Sequence, residues 1–254
     1  MTSPAAASFD EWYEAIAASS RLDPFLQRWL GLSPEVRSSG YLSGHGLTEV
    51  LGRLALTPGS ALVELGCGRG GYGLAAARAT GTHLVGVDFS VVALAAARDQ
   101  AARLRLDATF VEGDLTASGL PTGGADAVLC VDAFHFAEPP AAAATECRRL
   151  LRPGGRLVVT SWEPVTPGDP GLPVRLRDAD VGRDLAAAGL VDVRTEVRPD
   201  WAAVERALWQ AALALRPDGD QAIAELVDEA HDFLPLAGLL RRVLLTARAP
   251  TSAG

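Results

Sequence analysis

The chain has 254 residues, enough to bury a full hydrophobic core, and a formal charge of −8 from 23 basic and 31 acidic residues. All basic residues are arginines and they form no run, so we expect neither nucleic acid nor a membrane surface as a partner. The three cysteines, Cys67, Cys130 and Cys147, are scattered and form no C-x-x-C or Cys/His cluster. We therefore expect no metal, no disulfide framework and a cytoplasmic location.

The first 57 residues predict a short tail and a helical cap. Residues 1–8 are small and polar and are expected to be a disordered tail, and no basic stretch there indicates a signal peptide. Apolar residues recur at helical spacing in three segments, which are Phe9–Ser20, Pro24–Leu30 and Leu47–Leu56. Asp23 is the expected N-cap of the second segment, and residues 38–46, rich in serine and glycine, predict a loop.

From residue 58 onward, apolar runs alternate with helix-like segments, which is typical of a parallel sheet with crossover helices. The expected strands are Ala61–Leu65, His83–Asp88, Ala108–Glu112, Ala125–Val131, Arg156–Ser161, Val191–Arg198 and Arg242–Ala249. The expected helices are Gly71–Ala79, Val91–Leu104, Ala141–Leu150, Asp180–Ala188, Trp201–Leu215 and Asp220–Phe233. Residues 152–155, Arg-Pro-Gly-Gly, are expected to form the turn that ends the third of these helices.

The segment Ala61–Gly71 is the most informative part of the chain, because a short apolar strand runs into a glycine-rich turn and then a helix. Gly66, Gly68 and Gly70 let the backbone turn sharply and approach a ligand closely. The helix that follows presents free N–H groups to such a ligand. The segment therefore predicts the nucleotide-binding first unit of an α/β domain.

The glycines alone leave the identity of the nucleotide open. Gly66, Gly68 and Gly71 also satisfy the G-x-G-x-x-G pattern of dinucleotide-binding proteins, with Asp88 at a suitable distance to hold a ribose. An NAD(P)-dependent oxidoreductase is therefore one hypothesis. Glu64 argues against it, since a carboxylate just before the turn would repel a pyrophosphate and attract a cationic ligand.

Five short motifs between residues 40 and 162 occur in a characteristic order. They are ELGCGRG at Glu64–Gly70, VDFS at Val87–Ser90, EGDL at Glu112–Leu115, DAVLCVDAFH at Asp126–His135 and LRPGGRL at Leu151–Leu157. This order resembles that of the class I S-adenosylmethionine-dependent methyltransferase family. The resemblance implies an α/β, Rossmann-like fold whose mostly parallel seven-stranded sheet has one antiparallel strand and helices on both faces.

With this fold the chain divides into two parts. Residues 1–57 are the N-terminal tail and helical cap, and residues 58–254 are the methyltransferase core. A helical insertion in the core, residues 199–241, is expected to act as a lid over the acceptor site.

The resemblance also implies S-adenosyl-L-methionine as the cofactor, bound at the strand ends. Gly66 and Gly68 would lie against its methionine and ribose parts, and Glu64 would favour the cationic amino-acid end. Asp88 would accept hydrogen bonds from both ribose hydroxyls. The other cofactor-binding residues that it implies are Tyr41, Cys67, Phe89, Gly113, Asp114, Leu115 and Val131.

Three of these residues would contact the adenine, and some of the set also have a purely structural interpretation. Phe89 would lie against the adenine face, Asp114 would accept from the adenine amino group, and the Leu115 N–H would donate to a ring nitrogen. However, a Gly-Asp pair such as Gly113-Asp114 is also common in turns, and Cys67 is equally explained as a small packing residue.

Two histidines are candidates for catalysis. His135 follows the fourth strand at the active edge and could act as a general base toward a hydroxyl or a protonated amine, and His45 in the predicted loop is the second candidate. The acceptor pocket is expected to draw on apolar residues outside the core, which are Trp12, Tyr13, Phe25, Trp29, Trp201, Trp209, Phe233 and Leu234.

The sequence therefore predicts a methyltransferase that acts on O, N or C of a small-molecule metabolite, with a role in secondary metabolism as one hypothesis. A homodimer is compatible with this prediction. The alternative is a protein of the same fold that binds the cofactor but catalyses another reaction, such as a cyclisation.

Overall fold

A computed structural model describes residues 4–251, within which the chain forms ten α-helices and one seven-stranded sheet. The helices are α1 (Pro4–Ala18), α2 (Leu22–Leu30), α3 (Gly44–Leu54), α4 (Gly71–Thr80), α5 (Val91–Leu104), α6 (Pro140–Leu150), α7 (Val174–Arg177), α8 (Val181–Ala187), α9 (Pro199–Ala212) and α10 (Gln221–Phe233). The strands are β1 (Ala61–Leu65), β2 (His83–Asp88), β3 (Ala108–Glu112), β4 (Ala125–Val131), β5 (Leu151–Pro164), β6 (Val191–Val197) and β7 (Leu240–Arg248). None of the helices in this part of the chain combines the length and the apolar character needed to cross a bilayer.

The strand order is β3-β2-β1-β4-β5-β7-β6, and β7 runs antiparallel to both of its neighbours while the other pairs are parallel. The predicted fold class is therefore confirmed. The strand order reverses between β1 and β4, and in open α/β sheets a crevice forms outside the carboxyl ends of the strands at such a point.

Two hydrophobic clusters cover the two faces of the sheet. Successive residues of a strand point to opposite faces, so Leu129 of β4 belongs to one cluster and Val128 to the other. The second cluster holds Ala143 of α6 and Leu185 of α8. Because both faces are covered, the central strands consist almost entirely of apolar residues.

The N-terminal helices pack against the insertion between β6 and β7. Leu26 of α2 and Trp209 of α9 belong to the same cluster. The Ser19 hydroxyl donates to the Asp220 carboxylate at 2.7 Å, and the Arg21 guanidinium donates to carbonyl oxygens at residues 216 and 217. The cap and the insertion, far apart in sequence, therefore form one continuous layer.

Some predicted boundaries are wrong. Helix α1 begins at Pro4, so residues 4–8 of the predicted tail are helical, while residues 1–3 lie outside the described part. Helix α3 begins at Gly44, inside the predicted loop, because the Ser43 hydroxyl caps it by accepting from the Gly46 N–H at 3.1 Å. Residues 152–155 lie within β5, at a register irregularity opposite β4, and not in a separate turn.

Asp23 is not the N-cap of α2, because that helix begins one residue earlier, at Leu22. Its two carboxylate oxygens accept from both terminal nitrogens of the Arg69 guanidinium, at 2.7 and 3.2 Å. Arg69 lies in the glycine turn, is only 5% exposed, and also donates to the Ser38 carbonyl at 3.0 Å. This bidentate pair therefore ties the cap to the turn after β1.

We expect Asp23→Asn to lower the free energy of unfolding by ~1–3 kcal/mol, because the Arg69 guanidinium would stay buried with a weaker acceptor. Urea denaturation followed by circular dichroism measures the change. Asp99→Asn, on the exposed face of α5, is the control and should change the free energy by less than ~0.5 kcal/mol. Equal stability of the two variants would contradict the anchoring role of Asp23.

Candidate functional site

A cavity of about 360 Å³ lies at the carboxyl edge of the sheet, between the ends of β1, β2 and β4. The predicted cofactor-binding residues that line it are Tyr41, Glu64, Gly66, Cys67, Gly68, Asp88, Phe89, Gly113, Leu115 and Val131. His135 lines it as well. The structure therefore brings together most of the residues that the motif order singled out.

The glycine turn forms the floor of the cavity at two positions that require glycine. Gly66 and Gly68 have φ angles of +67° and +49°, in the left-handed region. A Cβ atom would lie 2.5 Å from the Cβ of Ala133 at the first position and 2.6 Å from the Tyr13 hydroxyl at the second. The turn thus has no room for a side chain at either position, because Ala133 and Tyr13 pack directly against its backbone.

Asp88 at the end of β2 is held by backbone donors. Its Oδ2 accepts from the Gly68 N–H at 2.8 Å and its Oδ1 from the Ser90 N–H at 2.9 Å. Burial raises the pKa of this carboxyl group, while the N–H donors act in the opposite direction. The carboxylate is therefore fixed in orientation beside the glycine turn.

Glu64 is a buried carboxylate on the neighbouring strand, 2% exposed. Its Oε2 accepts from the Gly73 N–H, the first turn of α4, at 3.1 Å. Burial raises the pKa of Glu64 to about 8, and the charge of Asp88 adds to the effect. A cation bound in the cavity would favour the ionised form of both groups.

The N-terminal helix covers this half of the cavity. Asp10 of α1 accepts from the Ser90 hydroxyl at 2.5 Å. The Phe9 ring packs edge-on against Phe89 at a centroid distance of 5.1 Å and against Phe136 at 5.5 Å. Phe9 and Phe136 were not predicted as site residues, because aromatic residues in a helix give no signal that distinguishes a cavity wall from core.

Two other predicted residues have structural explanations, and a third does not line the cavity. Burial raises the pKa of the Cys67 thiol, which therefore stays protonated and packs in the turn. Asp114 is exposed, and its Oδ1 accepts from the N–H and the hydroxyl of Thr116 at 2.8 and 2.6 Å. His45 is exposed in the first turn of α3 and does not line the cavity. The predicted ligand contacts of Cys67 and Asp114 stay predictions, and the structure does not bring His45 to the site.

His135 lies in a short 3-10 helix, Phe134–Phe136, just after β4. Its ring packs edge-on against Trp162 at 5.3 Å, and its Nδ1 atom is buried without a hydrogen-bond partner among residues 4–251. Burial lowers the pKa of His135 to about 3, with the charge of Arg175 acting in the same direction. The imidazole is therefore neutral at physiological pH and can accept or donate one hydrogen bond.

The half of the cavity beside His135 contains charged residues that the motifs did not predict. These are Asp132 after β4, Arg175 in α7, Glu205 in α9 and Glu229 in α10. Tyr41 connects two of them, because its N–H donates to Asp132 Oδ2 at 2.9 Å and its hydroxyl to Glu229 Oε2 at 2.6 Å. Acidic residues in helices are usually solvated, so only tertiary contact identifies these two glutamates.

A buried network of Asp132, Arg242 and Glu205 lies beneath this half. Arg242 of β7 is 2% exposed, and its Nη1 lies 2.9 Å from Asp132 Oδ1. Its Nε lies 3.4 Å from Glu205 Oε2, and its guanidinium stacks on the Trp162 ring at 4.1 Å. Glu205 also accepts from the indole N–H of Trp162 at 3.0 Å. We call these three charged residues the Arg242 network.

The apolar residues predicted for the acceptor pocket divide into two groups. Four line the cavity, which are Trp12, Tyr13, Trp209 and Phe233. Four do not, which are Phe25, Trp29, Trp201 and Leu234. Trp201 is instead 3% exposed within the hydrophobic cluster. Within residues 4–251, no group of three or more His, Cys, Asp or Glu side chains is arranged to hold a metal ion.

Comparison with known proteins finds similarity to methyltransferases. The model of a methyltransferase domain family matches residues 63–159. Phosphoethanolamine N-methyltransferase 1 of Arabidopsis thaliana is 29% identical over 178 residues, which are 65% of this chain and 36% of that protein. The chain thus spans about a third of the length of this relative.

Two solved structures have the same fold as nearly the whole chain. The [4+2]-cyclase SpnF aligns with a TM-score of 0.73 and 22% identity over 99% of this chain and 98% of its own. The phosphoethanolamine N-methyltransferase 2 of Haemonchus contortus, in complex with phosphomonomethylethanolamine and S-adenosylhomocysteine, aligns with a TM-score of 0.74 and 17% identity over 94% of this chain and 60% of its own.

The fold, the glycine turn and the matched domain together define an α/β methyltransferase domain. Residues 63–159, which contain all five motifs, match the methyltransferase domain family, so the resemblance that the order of the motifs predicted is confirmed for this part of the chain.

Glu64 makes the stability of the ligand-free protein depend on pH. Because burial raises its pKa from 4.5 to about 8, the unfolded chain ionises this group at a lower pH than the folded chain does, and the fold loses stability as the pH rises from 4.5 to about 8. Glu64→Gln removes this ionisation and keeps an acceptor for the Gly73 N–H. At pH 9 the variant should melt roughly 2–4 °C above the wild type, the shift that ~1 kcal/mol produces in a chain of this size.

Differential scanning calorimetry at pH 5 and pH 9 measures this effect. The two proteins should melt at similar temperatures at pH 5, where the folded wild type holds Glu64 in its neutral form. A variant that gains no stability relative to the wild type between these two pH values would contradict a raised pKa at Glu64.

Proposed function

We propose that the chain binds S-adenosylmethionine at the carboxyl edge of the sheet and transfers its methyl group to a small molecule held between His135 and the insertion. The observation that supports this most directly is the pairing of two buried carboxylates, Glu64 and Asp88, with the side-chain-free backbone of Gly66 and Gly68. A cationic nucleoside suits this arrangement, because its positive charge favours the ionised form of Glu64, whereas the pyrophosphate of NAD(P) disfavours that form.

The residues present fit the cofactor in its separate parts. The fixed carboxylate of Asp88 is placed to accept from ribose hydroxyls, and Glu64 favours a positively charged amino-acid end. Phe89 offers an aromatic face for the adenine ring, and Phe9 packs edge-on against it. When bound, S-adenosylmethionine would supply a methyl group on a sulfonium. A nucleophile can take this methyl carbon, while the C–S electron pair stays on sulfur.

The remaining task of the protein is to orient the acceptor and exclude water. Helices α1, α9 and α10 line the cavity from the side opposite the sheet, which supports the proposed lid role of insertion 199–241. His135 is proposed to contact the acceptor through its unpartnered Nδ1. Its low pKa favours a hydrogen-bonding role over storage of the acceptor's proton.

Asp88→Ala should weaken binding of S-adenosylhomocysteine by roughly 10–100-fold, because hydrogen bonds to a charged group contribute ~1.5–3 kcal/mol. Isothermal titration calorimetry measures the affinity, and thermal melting confirms that the variant is folded. Asp99→Ala on exposed α5 removes the same charge away from the cavity and should bind normally. Unchanged affinity of Asp88→Ala would show that the cofactor is held elsewhere.

His135→Ala should slow methyl transfer by roughly 10–100-fold, since loss of an orienting contact misplaces the acceptor, while the affinity for S-adenosylhomocysteine stays nearly constant. His135→Gln retains polar atoms at this position and should recover part of the rate. Release of S-adenosylhomocysteine from candidate acceptors gives the rate. Wild-type turnover in the alanine variant would assign His135 to the core alone.

A second candidate function is a cyclisation, for which the observation is the full-length fold similarity to a [4+2]-cyclase. Retained cofactor affinity with no methyl transfer to any acceptor would favour this alternative. A role in secondary metabolism, a homodimeric assembly and a cytoplasmic location remain proposals from the sequence.

A further inference from the structure

The half of the cavity that faces away from the cofactor residues has an excess of negative charge. Three carboxylates belong to it, those of Asp132, Glu205 and Glu229, against two guanidinium groups, those of Arg175 and Arg242. Asp132 and Arg242 pair directly, and Glu205 is the second partner of Arg242. Arg175 stacks over the Phe136 ring at 5.4 Å. Glu229 forms no ion pair within residues 4–251, although the charge of Arg175 acts on it.

Glu229 is held in place without being neutralised. Its Oε2 accepts from the Tyr41 hydroxyl at 2.6 Å, and the Tyr41 ring packs edge-on against Trp209 at 4.4 Å. A single neutral donor fixes the orientation of the carboxylate and leaves its other oxygen without a hydrogen-bond donor in this part of the chain. The side chain is thus presented to the cavity that it lines.

Aromatic rings line the same cavity as this carboxylate. Tyr41, Trp162, Trp209 and Phe233 all line the same cavity as Glu229. The Trp209 and Phe233 rings are nearly parallel, with an interplanar angle of 18° and a centroid distance of 6.2 Å. Aromatic faces combined with a carboxylate attract an organic cation, by cation–π and Coulomb interactions, far better than they attract a neutral or anionic group.

We propose that this half of the cavity, with Glu229 as its recognition residue, binds an acceptor that carries a cationic amine. This inference rests on the proposed function and names the class of its substrate. An ammonium group has no free electron pair, so it must lose a proton before its nitrogen can accept a methyl group. The Glu229 carboxylate is placed to take that proton, which yields the neutral amine and the carboxylic acid.

The environment of Glu229 suits both tasks. Burial raises its pKa to about 7, and the charges of Glu205 and Asp232 act in the same direction. The Tyr41 hydrogen bond and the charge of Arg175 act in the opposite direction. A carboxylate poised near neutral pH can both bind an ammonium group and accept its proton.

Tetramethylammonium is a suitable probe because it is cationic, small and has no proton of its own, and tert-butanol is its neutral counterpart of similar size. With S-adenosylhomocysteine present at pH 8, calorimetry should detect at least ~10-fold tighter binding of the cation than of the alcohol. Glu229→Gln should weaken cation binding ~10-fold or more. Asp228→Asn, which removes the neighbouring exposed carboxylate of α10, should bind the cation as the wild type does.

The pH dependence gives a readout that a merely structural role of Glu229 would not produce. In the wild type, affinity for tetramethylammonium should rise as the pH increases through about 7, since only the ionised carboxylate attracts the cation. In Glu229→Gln this rise should be absent. Equal binding of cation and alcohol, no binding of the cation, or a pH profile unchanged by Glu229→Gln would each overturn the proposal.

The affinity for S-adenosylhomocysteine separates this proposal from the proposed function. It should stay nearly constant in Glu229→Gln, because the amide oxygen of glutamine can still accept from the Tyr41 hydroxyl and Glu229 belongs to α10, not to the strand ends that hold Glu64 and Asp88. A wild type that fails to bind S-adenosylhomocysteine would refute the methyltransferase function itself. Normal binding of S-adenosylhomocysteine together with equal binding of cation and alcohol would refute only the amine-binding role.

Discussion

The buried guanidinium of Arg242 is the interaction on which the geometry of the whole cavity depends. It pairs with Asp132 at the end of β4 and approaches Glu205 on α9, so that it joins the sheet to the insertion. Asp132 in turn accepts from the Tyr41 N–H and the Thr160 hydroxyl, which fixes the loop before α3 against β5. Loss of one partner of such a buried pair typically costs ~3–5 kcal/mol, because an uncompensated charge stays behind.

The same network explains why the carboxylates of the cavity differ in character. Asp132 has an adjacent arginine, whereas Glu64 and Glu229 are buried with only neutral hydrogen-bond donors, and burial raises the pKa of both. Such groups destabilise the empty protein when they ionise, and they become favourable when a cation arrives. The fold thus gives up stability in the ligand-free state at two places where a positively charged ligand would restore it.

Much of the fold follows from local pattern. The limits of β1 to β4 and of α5 are those that the sequence predicts, because strands buried on both faces must be short and continuously apolar. The limits of α1 and β5 were wrong, because the first depends on packing against α5 and α10 and the second on pairing with β7. The sequence predicted four residues of the candidate site, which are Gly66, Gly68, Glu64 and Asp88. A turn that requires positive φ angles, and carboxylates at strand ends, can both be recognised from neighbouring residues.

The sequence by itself determined the alternation of strands and helices, the glycine turn and the order of the methyltransferase motifs, since each of these is set by neighbouring residues. Tertiary structure alone decided that Glu205, Glu229 and Arg242 meet beside His135. These residues lie on two insertion helices and the antiparallel strand, and nothing in their local sequence separates them from solvated charges. The physical reason is that the role of a charged residue depends on its surroundings in the folded chain. Only long-range packing removes water from a carboxylate and places it opposite a ligand.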